Sequence, residues 1–306
     1  MTVLGIETSC DETAAAVVSE TDDPARPWRV RSSTIASQVD IHREWGGVVP
    51  ELASRQHIRD ICGVVERALA DADASWPDLG AIAVTQGPGL VGSLLIGVAF
   101  GKALAASLNV PLVPVHHLAG HIESLVLEHG AMPLPAVVLV VSGGHTNLYL
   151  VRAEGEYVLV GRTRDDAAGE AFDKVATLVG LDYPGGPVID RLAREGNDRA
   201  VPLPVARMTH ADRNPGSPLA LPAGAPISMR GRSEFSFSGL KTAVKRHVAV
   251  RRAELGTDQL PRGEVADLCA SFQRVVVETL LDRTFSTARW FGARSVGIAG
   301  GVSANS

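Results

Sequence analysis

A two-lobed α/β fold is the architecture this sequence predicts, on three observations. The chain has 306 residues, longer than most single domains. Short apolar runs of strand length alternate with longer segments of helical apolar spacing. A layout of apolar strand, polar turn and return strand occurs near the start and again after Pro135. One large α/β domain would satisfy the first two observations. The recurrence favours an internally duplicated fold in which each copy places a turn at a shared cleft.

The elements follow in order. Val3, Leu4 and Ile6 form a strand that enters the polar turn Glu7-Thr8-Ser9-Cys10-Asp11-Glu12-Thr13, and Ala14 to Val18 return. Residues 21–28 read as a Pro-bearing loop and 29–36 as a strand. Residues 48–72 have helical spacing, with Leu52, Ile58, Ile61, Val65 and Leu69 among the apolar positions. Ala81 to Val84 is a short strand, followed by the turn Thr85 to Gly89 and a helix from Val91 to Leu108. Pro111 to Val115 is a strand that runs into a helix beginning near His116.

Pro133 and Pro135 mark a lobe boundary, giving lobes 1–133 and 134–306. Ala136 to Val141 is an apolar strand, Ser142 to Thr146 its turn and Leu148 to Val151 the return. Residues 169–194 hold two helical patterns split by Tyr183-Pro184-Gly185-Gly186-Pro187. Residues 202–232 read as a long loop. Leu240 to Val250 and Gly263 to Trp290 are helical, Ser295 to Ala299 is a strand, and a helix is expected to start after it.

Composition narrows the class. Hydrophobic residues make up 45% and charged residues 21%, an ordinary globular balance. A net charge of −5 and a pI near 6.0 argue against a dedicated nucleic-acid-binding protein. Cys10, Cys62 and Cys269 form no CxxC pair, which disfavours a zinc ribbon or a disulfide framework and fits a reducing compartment. Cys10 is expected to be a small buried thiol. The N-terminus lacks a basic segment followed by a long apolar run, and no stretch is read as apolar for the ~20 residues that cross a bilayer. A cytoplasmic protein with no membrane partner is expected.

Several constellations carry chemistry. His117 and His121 are four apart, so on a helix they share a face and could chelate one metal ion. Leu118 stands where a HExxH metallopeptidase carries its glutamate; a capping pair of histidines is the alternative. The turn Ser142-Gly143-Gly144-His145-Thr146 lets backbone N–H groups approach an anion, though tight hairpins also use such pairs. Gly300-Gly301-Val302-Ser303-Ala304-Asn305 lies between a strand and an expected helix start, a place that favours phosphate. In the run Asp165 to Lys174, most acids suit a helix N-terminus, whereas Asp173 is further inside and could bond a ligand. Tyr183 to Pro187, with Asp190 after it, reads either as a ligand-facing loop or as a helix–helix turn. Arg230, Arg232, Lys241, Lys245, Arg246, Arg251 and Arg252, with Phe235 and Phe237 interleaved, read either as a phosphate-backbone patch or as a solvated helix face.

Taken together, these motifs resemble one family. Gly5 to Thr13, Gly46-Gly47-Val48-Val49-Pro50-Glu51, Gly87 to Leu90, His117 to His121, Ser142 to Thr146, Gly169 to Lys174, Ser236 to Lys241 and Gly300 to Asn305 match, in order, the bacterial TsaD family of tRNA adenosine threonylcarbamoyltransferases. The resemblance implies an actin-like/sugar-kinase/Hsp70 (ASKHA) fold of two duplicated RNase H-like lobes with a central cleft. It implies an acyltransferase that moves a threonylcarbamoyl group from threonylcarbamoyl-AMP to N6 of adenosine 37, giving t6A in tRNAs that read ANN codons. Implied partners are tRNA, a TsaB-type paralogue, a TsaE-type ATPase and a TsaC-type synthase.

Implied cofactors are a divalent metal, iron(II) with zinc(II) as the alternative, and an adenylate or ATP-type ligand. His117 and His121 match the metal-binding histidines. Val140, Val141, Ser142, Gly143 and Gly144 match the strand and turn at the ligand phosphate, and Asp173, Gly186 and Asp190 match positions near the ribose. Asn305 matches an adenosine-side contact, and Asp11 and Glu12, in the first turn, are the acids expected nearest the reacting centre. The family continues past Asn305 to a Thr-Asp-Asn segment whose Asp is a third metal ligand, so a chain ending at Ser306 is expected to hold an incomplete set. A metallopeptidase and a non-catalytic nucleotide-binding scaffold are the rival readings.

Overall fold

The computed structural model describes residues 1–24, 26–205 and 233–305. The expected loop at 202–232 therefore lies, from residue 206 onward, outside the described residues, as do Arg230 and Arg232. The chain divides into two compact units, Met1–Ala131 and Met132–Ser306.

In the first unit, β1 (Thr2–Glu7), β2 (Glu12–Glu20) and β3 (Trp28–Ser37) form an antiparallel meander. A short helix α1 (Val39–Arg43) and the long α2 (Pro50–Asp71) lead to β4 (Ala81–Gly87), which lies parallel to β1. Helix α3 (Val91–Leu108), strand β5 (Leu112–His116) and helix α4 (His117–His129) complete the unit, and the sheet order is β3-β2-β1-β4-β5. Helix α2 begins at Pro50, where a missing N–H costs nothing. It buries Ala53, His57, Ile61, Val64, Val65, Ala68 and Leu69 on one stripe.

Helix α3 corrects the expectation that no segment is apolar enough for a bilayer. With 18 residues and a mean hydropathy of 1.7, it is long and apolar enough by length and composition. Its buried positions are Ser93, Gly97, Gly101 and Ala105, small residues four apart. A Cβ on Gly97 would lie 2.4 Å from Thr8 Oγ1, so this glycine lets the helix lie against the turn after β1.

The second unit repeats the plan. Strands β6 (Ala136–Val141), β7 (Thr146–Ala153) and β8 (Glu156–Arg162) form an antiparallel meander. Helices α5 (Ala168–Leu178), α6 (Gly185–Ala193), α7 (Ser238–Leu255) and α8 (Arg262–Trp290) precede β9 (Ser295–Ala299), which pairs in parallel with β6. The order β8-β7-β6-β9 reproduces β3-β2-β1-β4, which is the duplication expected of the ASKHA fold. Every residue of β6 is buried, as its unbroken apolar run requires of a strand covered on both faces. Phe172, Phe235, Phe237 and Phe272 centre the core, and Phe172 meets Phe272 edge-to-face at 5.1 Å.

Four elements differ from expectation. Strand β8 and helix α1 were not anticipated. Helix α6 starts at Gly185, so Gly185-Gly186-Pro187 belongs to its first turn and not to a loop. After β9 comes a single 3-10 turn, Gly301–Ala304, in place of an α-helix start.

Candidate functional site

Strand β1 delivers Glu7 to the end of the sheet, and the chain turns through Thr8, Ser9, Cys10 and Asp11 before Glu12 opens β2. Strand β5 passes directly into α4, which sets His117 at the first helical position and His121 one turn on. Their rings lie 4.7 Å apart, centroid to centroid, in a T arrangement. His117 Nδ1 is 3.2 Å from Glu7 Oε2 and 3.2 Å from Ser9 Oγ.

Glu7 also accepts hydrogen bonds from Thr85 Oγ1 at 2.6 Å and from the Ser9 N–H. Burial alone would raise the Glu7 carboxyl. The hydrogen bonds from His117, Ser9 and Thr85 outweigh it and bring the carboxyl down to about 2. Glu7 is thus an anion that only accepts, so the His117 proton sits on Nδ1 and Nε2 carries the lone pair. A carboxylate that orients an imidazole in this way is the usual support of a metal-binding histidine. Sequence reasoning left Glu7 out of the site, although an acid at the end of an apolar strand and next to a turn was a signal.

The residues therefore fit a divalent ion to this extent: two imidazoles, one of them with its tautomer set. Among the described residues no group of three or more His, Cys, Asp or Glu is placed to hold a metal. Glu7→Gln is expected to weaken metal binding about 10- to 100-fold, because the amide no longer fixes the tautomer; metal titration of both proteins checks it. The sign for stability follows from the lowered carboxyl. Stabilisation by Glu7 is present above its unfolded value of 4.5 and is lost as pH falls toward about 2. Acid unfolding of Glu7→Gln should lack that part of the pH dependence.

The acids of the turn are placed by backbone bonds. Leu90 N–H donates to Ser9 O at 2.8 Å, and Gln38 N–H donates to Asp11 O at 3.0 Å. A Cβ on Gly89 would lie 2.5 Å from Ser9 O, which explains that glycine. Asp11 is half-buried and Glu12 exposed. Partial desolvation raises the Glu12 carboxyl, and the charges of Asp11 and Glu7 add to it. Cys10, expected to be buried, is exposed. Local desolvation and the neighbouring acids push its thiol up to about 12, so it stays protonated and is a poor nucleophile.

In the second unit the turn after β6 rests on the start of α5. Ala168 N–H donates to Thr146 Oγ1 at 2.8 Å, Gly169 N–H to Ser142 O at 3.3 Å and Glu170 N–H to Gly143 O at 3.1 Å. A Cβ on Gly169 would lie 2.7 Å from Gly143 Cα. Gly143 and Gly144 are exposed, and a Cβ on either would meet nothing within 4 Å among the described residues. Packing does not explain this glycine pair. Val140 and Val141 bury their side chains on opposite faces of β6, so they face the turn's surroundings through the main chain only.

Gly300 packs on the Val141 carbonyl, with a φ of +97°. This brings the Gly300–Asn305 turn beside Ser142. Asn305 Oδ1 lies 3.9 Å from the position of a Cβ on Gly186, and Asn305 Nδ2 is buried with no partner among the described residues. Asp173 Oδ1 accepts the Gly185 N–H at 2.8 Å and so caps α6. Asp190 is buried and accepts from Gln273 Nε2 and Arg194 Nη2, each at 2.9 Å. Val141, Ser142, Gly143, Asp173, Gly186 and Asn305 thus gather near the ends of the parallel strands β6 and β9, where open α/β sheets bind ligands.

The basic stretch is thinner than its sequence suggested. Lys241 and Lys174 both pair with Asp166 at 2.6 Å. Arg251 pairs with Glu264 and Glu254, and Arg252 Nη2 donates to Leu178 O at 3.1 Å. Phe235 and Phe237 are core residues. Lys245 and Arg246 remain exposed on α7. The neighbouring acid Asp165 caps α7, accepting the Phe237 N–H at 2.8 Å.

Duplicated sheets, each with a turn at the end of its first strand, define a two-lobed α/β protein of the ASKHA class. A solved structure supports that fold: component A of (R)-2-hydroxyglutaryl-CoA dehydratase from Acidaminococcus fermentans. It is 12% identical, with a TM-score of 0.50, over 100% of this chain and 85% of that one. The family is given by sequence. A model described as "TsaD: tRNA N6-adenosine threonylcarbamoyltransferase" matches residues 29–306, and the chain belongs to that family. A tRNA N6-adenosine threonylcarbamoyltransferase of Moorella thermoacetica is 49% identical over 304 residues, 99% of this chain and 80% of that relative. One of Symbiobacterium thermophilum is 50% identical over 303 residues, 99% of this chain and 79% of that relative. Neither the peptidase nor the scaffold reading gains support from these relatives.

Proposed function

We propose that this protein transfers a threonylcarbamoyl group from threonylcarbamoyl-AMP to N6 of adenosine 37 in tRNAs reading ANN codons. The observation that carries the reading is near-half identity, over almost the whole chain, to relatives named for that transfer. His117 and His121 would hold a divalent ion, iron(II) or zinc(II), which when bound supplies Lewis acidity toward an oxygen of the donor. The exposed amides of the Gly143-Gly144 turn face the adenylate phosphate. Asp173, Gly186, Asp190 and Asn305 lie toward its nucleoside. Asp11 and Glu12 orient the adenine amine and take its proton. A weak nucleophile of this kind gains most from orientation and charge stabilisation, so no covalent enzyme intermediate is needed.

Nucleoside mass spectrometry of an unmodified ANN-decoding tRNA tests the reading. It is incubated with threonylcarbamoyl-AMP, a divalent metal, the TsaB-type and TsaE-type partners and this chain. Appearance of t6A that depends on this chain is expected. Its absence, with all components folded and the donor intact, would sink the proposal. The cytoplasm, where tRNA is matured, is the proposed location.

The exposed pair Lys245 and Arg246 is proposed to touch the tRNA backbone. Reversing both charges should weaken tRNA binding at all sequences and make its salt dependence shallower. An unchanged slope in a filter-binding titration would remove α7 from the interface.

A further inference from the structure

The turn that carries Asp11 and Glu12 is tied to a buried string of side chains that the transfer reaction, as described so far, does not use. His57 of α2 is fully buried. Its Nε2 lies 3.0 Å from Cys10 O, and a carbonyl only accepts, so Nε2 carries the proton. Nδ1 is then an acceptor, 2.8 Å from Thr13 Oγ1 and 3.4 Å from Gln38 Nε2.

At the far end the same logic holds. The Val49 N–H donates to His42 Nδ1 at 3.3 Å, so the His42 proton lies on Nε2, which reaches Gln38 Oε1 at 3.2 Å. Each assignment requires the next. Val49 N–H donates to His42, His42 to Gln38, Gln38 to His57, and His57 to Cys10 O. Gln38, His42 and His57 are at most 1% exposed, and the string links α1 and α2 to the turn between β1 and β2. Gln38 adds a second tie through its own N–H to Asp11 O. Ser93 Oγ of α3 also points to Cys10 O, at 3.4 Å.

We propose that His57, fixed by Gln38 and His42, is a positioning residue that holds the Cys10-Asp11-Glu12 turn in its reactive geometry, and that it does so as a neutral imidazole protonated at Nε2. A second proton on Nδ1 would face the Gln38 amide and break the string. Burial lowers the His57 pKa, against opposing pulls from the Cys10 carbonyl, Asp60, Glu7 and Asp11, which favours the neutral ring. The proposal rests on the reading of Asp11 and Glu12 as acids of the transfer site.

The test compares His57→Gln, whose amide nitrogen can still donate to Cys10 O, with His57→Leu, which cannot. Steady-state t6A formation with the full chain and its partners is the readout. His57→Leu should lower kcat about 10- to 100-fold with little change in KM for tRNA, and His57→Gln should retain most of kcat. Imidazole 15N spectra of the unaltered protein should show His57 and His42 as Nε2–H tautomers. A folded His57→Leu with unaltered kcat overturns the proposal. So does an Nδ1–H tautomer at His57, or equal kcat losses in both variants that track their melting temperatures. Asp11→Asn separates the two levels. Full activity in it brings down the underlying site reading, whereas an inactive Asp11→Asn beside an unaffected His57→Leu brings down the positioning role alone.

Discussion

His117→Ala should reduce t6A formation at least about a hundredfold and lower the bound metal in parallel. The substitution removes one of the two imidazoles that share a face of α4. It also removes one of the three hydrogen bonds that hold the Glu7 carboxyl near 2, so that carboxyl should rise. Elemental analysis and nucleoside mass spectrometry on the same preparation check both effects. His121→Ala should act similarly, and the double variant should be little worse than either, because groups that act as a unit are not additive. Unchanged metal content and unchanged yield in His117→Ala would remove the imidazole pair from the mechanism.

Gly300→Ala should strongly destabilise the second unit, because it adds both a steric clash and a strained backbone conformation. The residue has a φ of +97°, which L side chains rarely adopt, and the new Cβ would lie 2.3 Å from Val141 O and 2.8 Å from its carbon. Neither neighbour is a flexible side-chain end, so the backbone itself must move. Backbone strain and overpacking together point to a loss of about 2–5 kcal/mol. Because Val141 leads into Ser142 and Gly143, affinity for the adenylate should fall with stability. Chemical denaturation and calorimetric titration with a non-hydrolysable adenylate measure the two. By contrast, the new Cβ of Gly143→Ala meets nothing within 4 Å among the described residues, so it should leave stability near that of the unaltered protein and act on ligand binding alone.

Much of the fold was legible because burial leaves a period in the sequence. The bounds of α3, β6 and β9 match their apolar runs residue for residue. Strand β8 was missed because its apolar centre, Tyr157 to Val160, is short and its signal merges with the turn before it. Helix α6 was displaced because Gly-Gly-Pro reads as a breaker. In the structure, Gly185 is there for close approach to Phe172 O, at 2.7 Å from its would-be Cβ, and proline is tolerated in a first turn.

Around the acid turn, the residue types were legible but their partners were not. Glu7 meets a histidine 110 positions away, and His57 meets Cys10 across 47. No local pattern encodes such pairings. The same blindness made a patch of α7, because cations engaged by Asp166, Glu254 and Glu264 look in sequence like free ones.

The burial of the Val140 and Val141 side chains carries a last consequence. Whatever these positions give a ligand comes from atoms that every amino acid shares. Scanning mutagenesis there will read core volume and will be silent on recognition, and natural drift between similar aliphatics can pass without functional cost. Only chemistry on the polypeptide itself would expose the contribution. Amide-to-ester replacement by protein semisynthesis, one bond at a time from residue 141 through the glycine pair, is the perturbation to which this part of the molecule should respond.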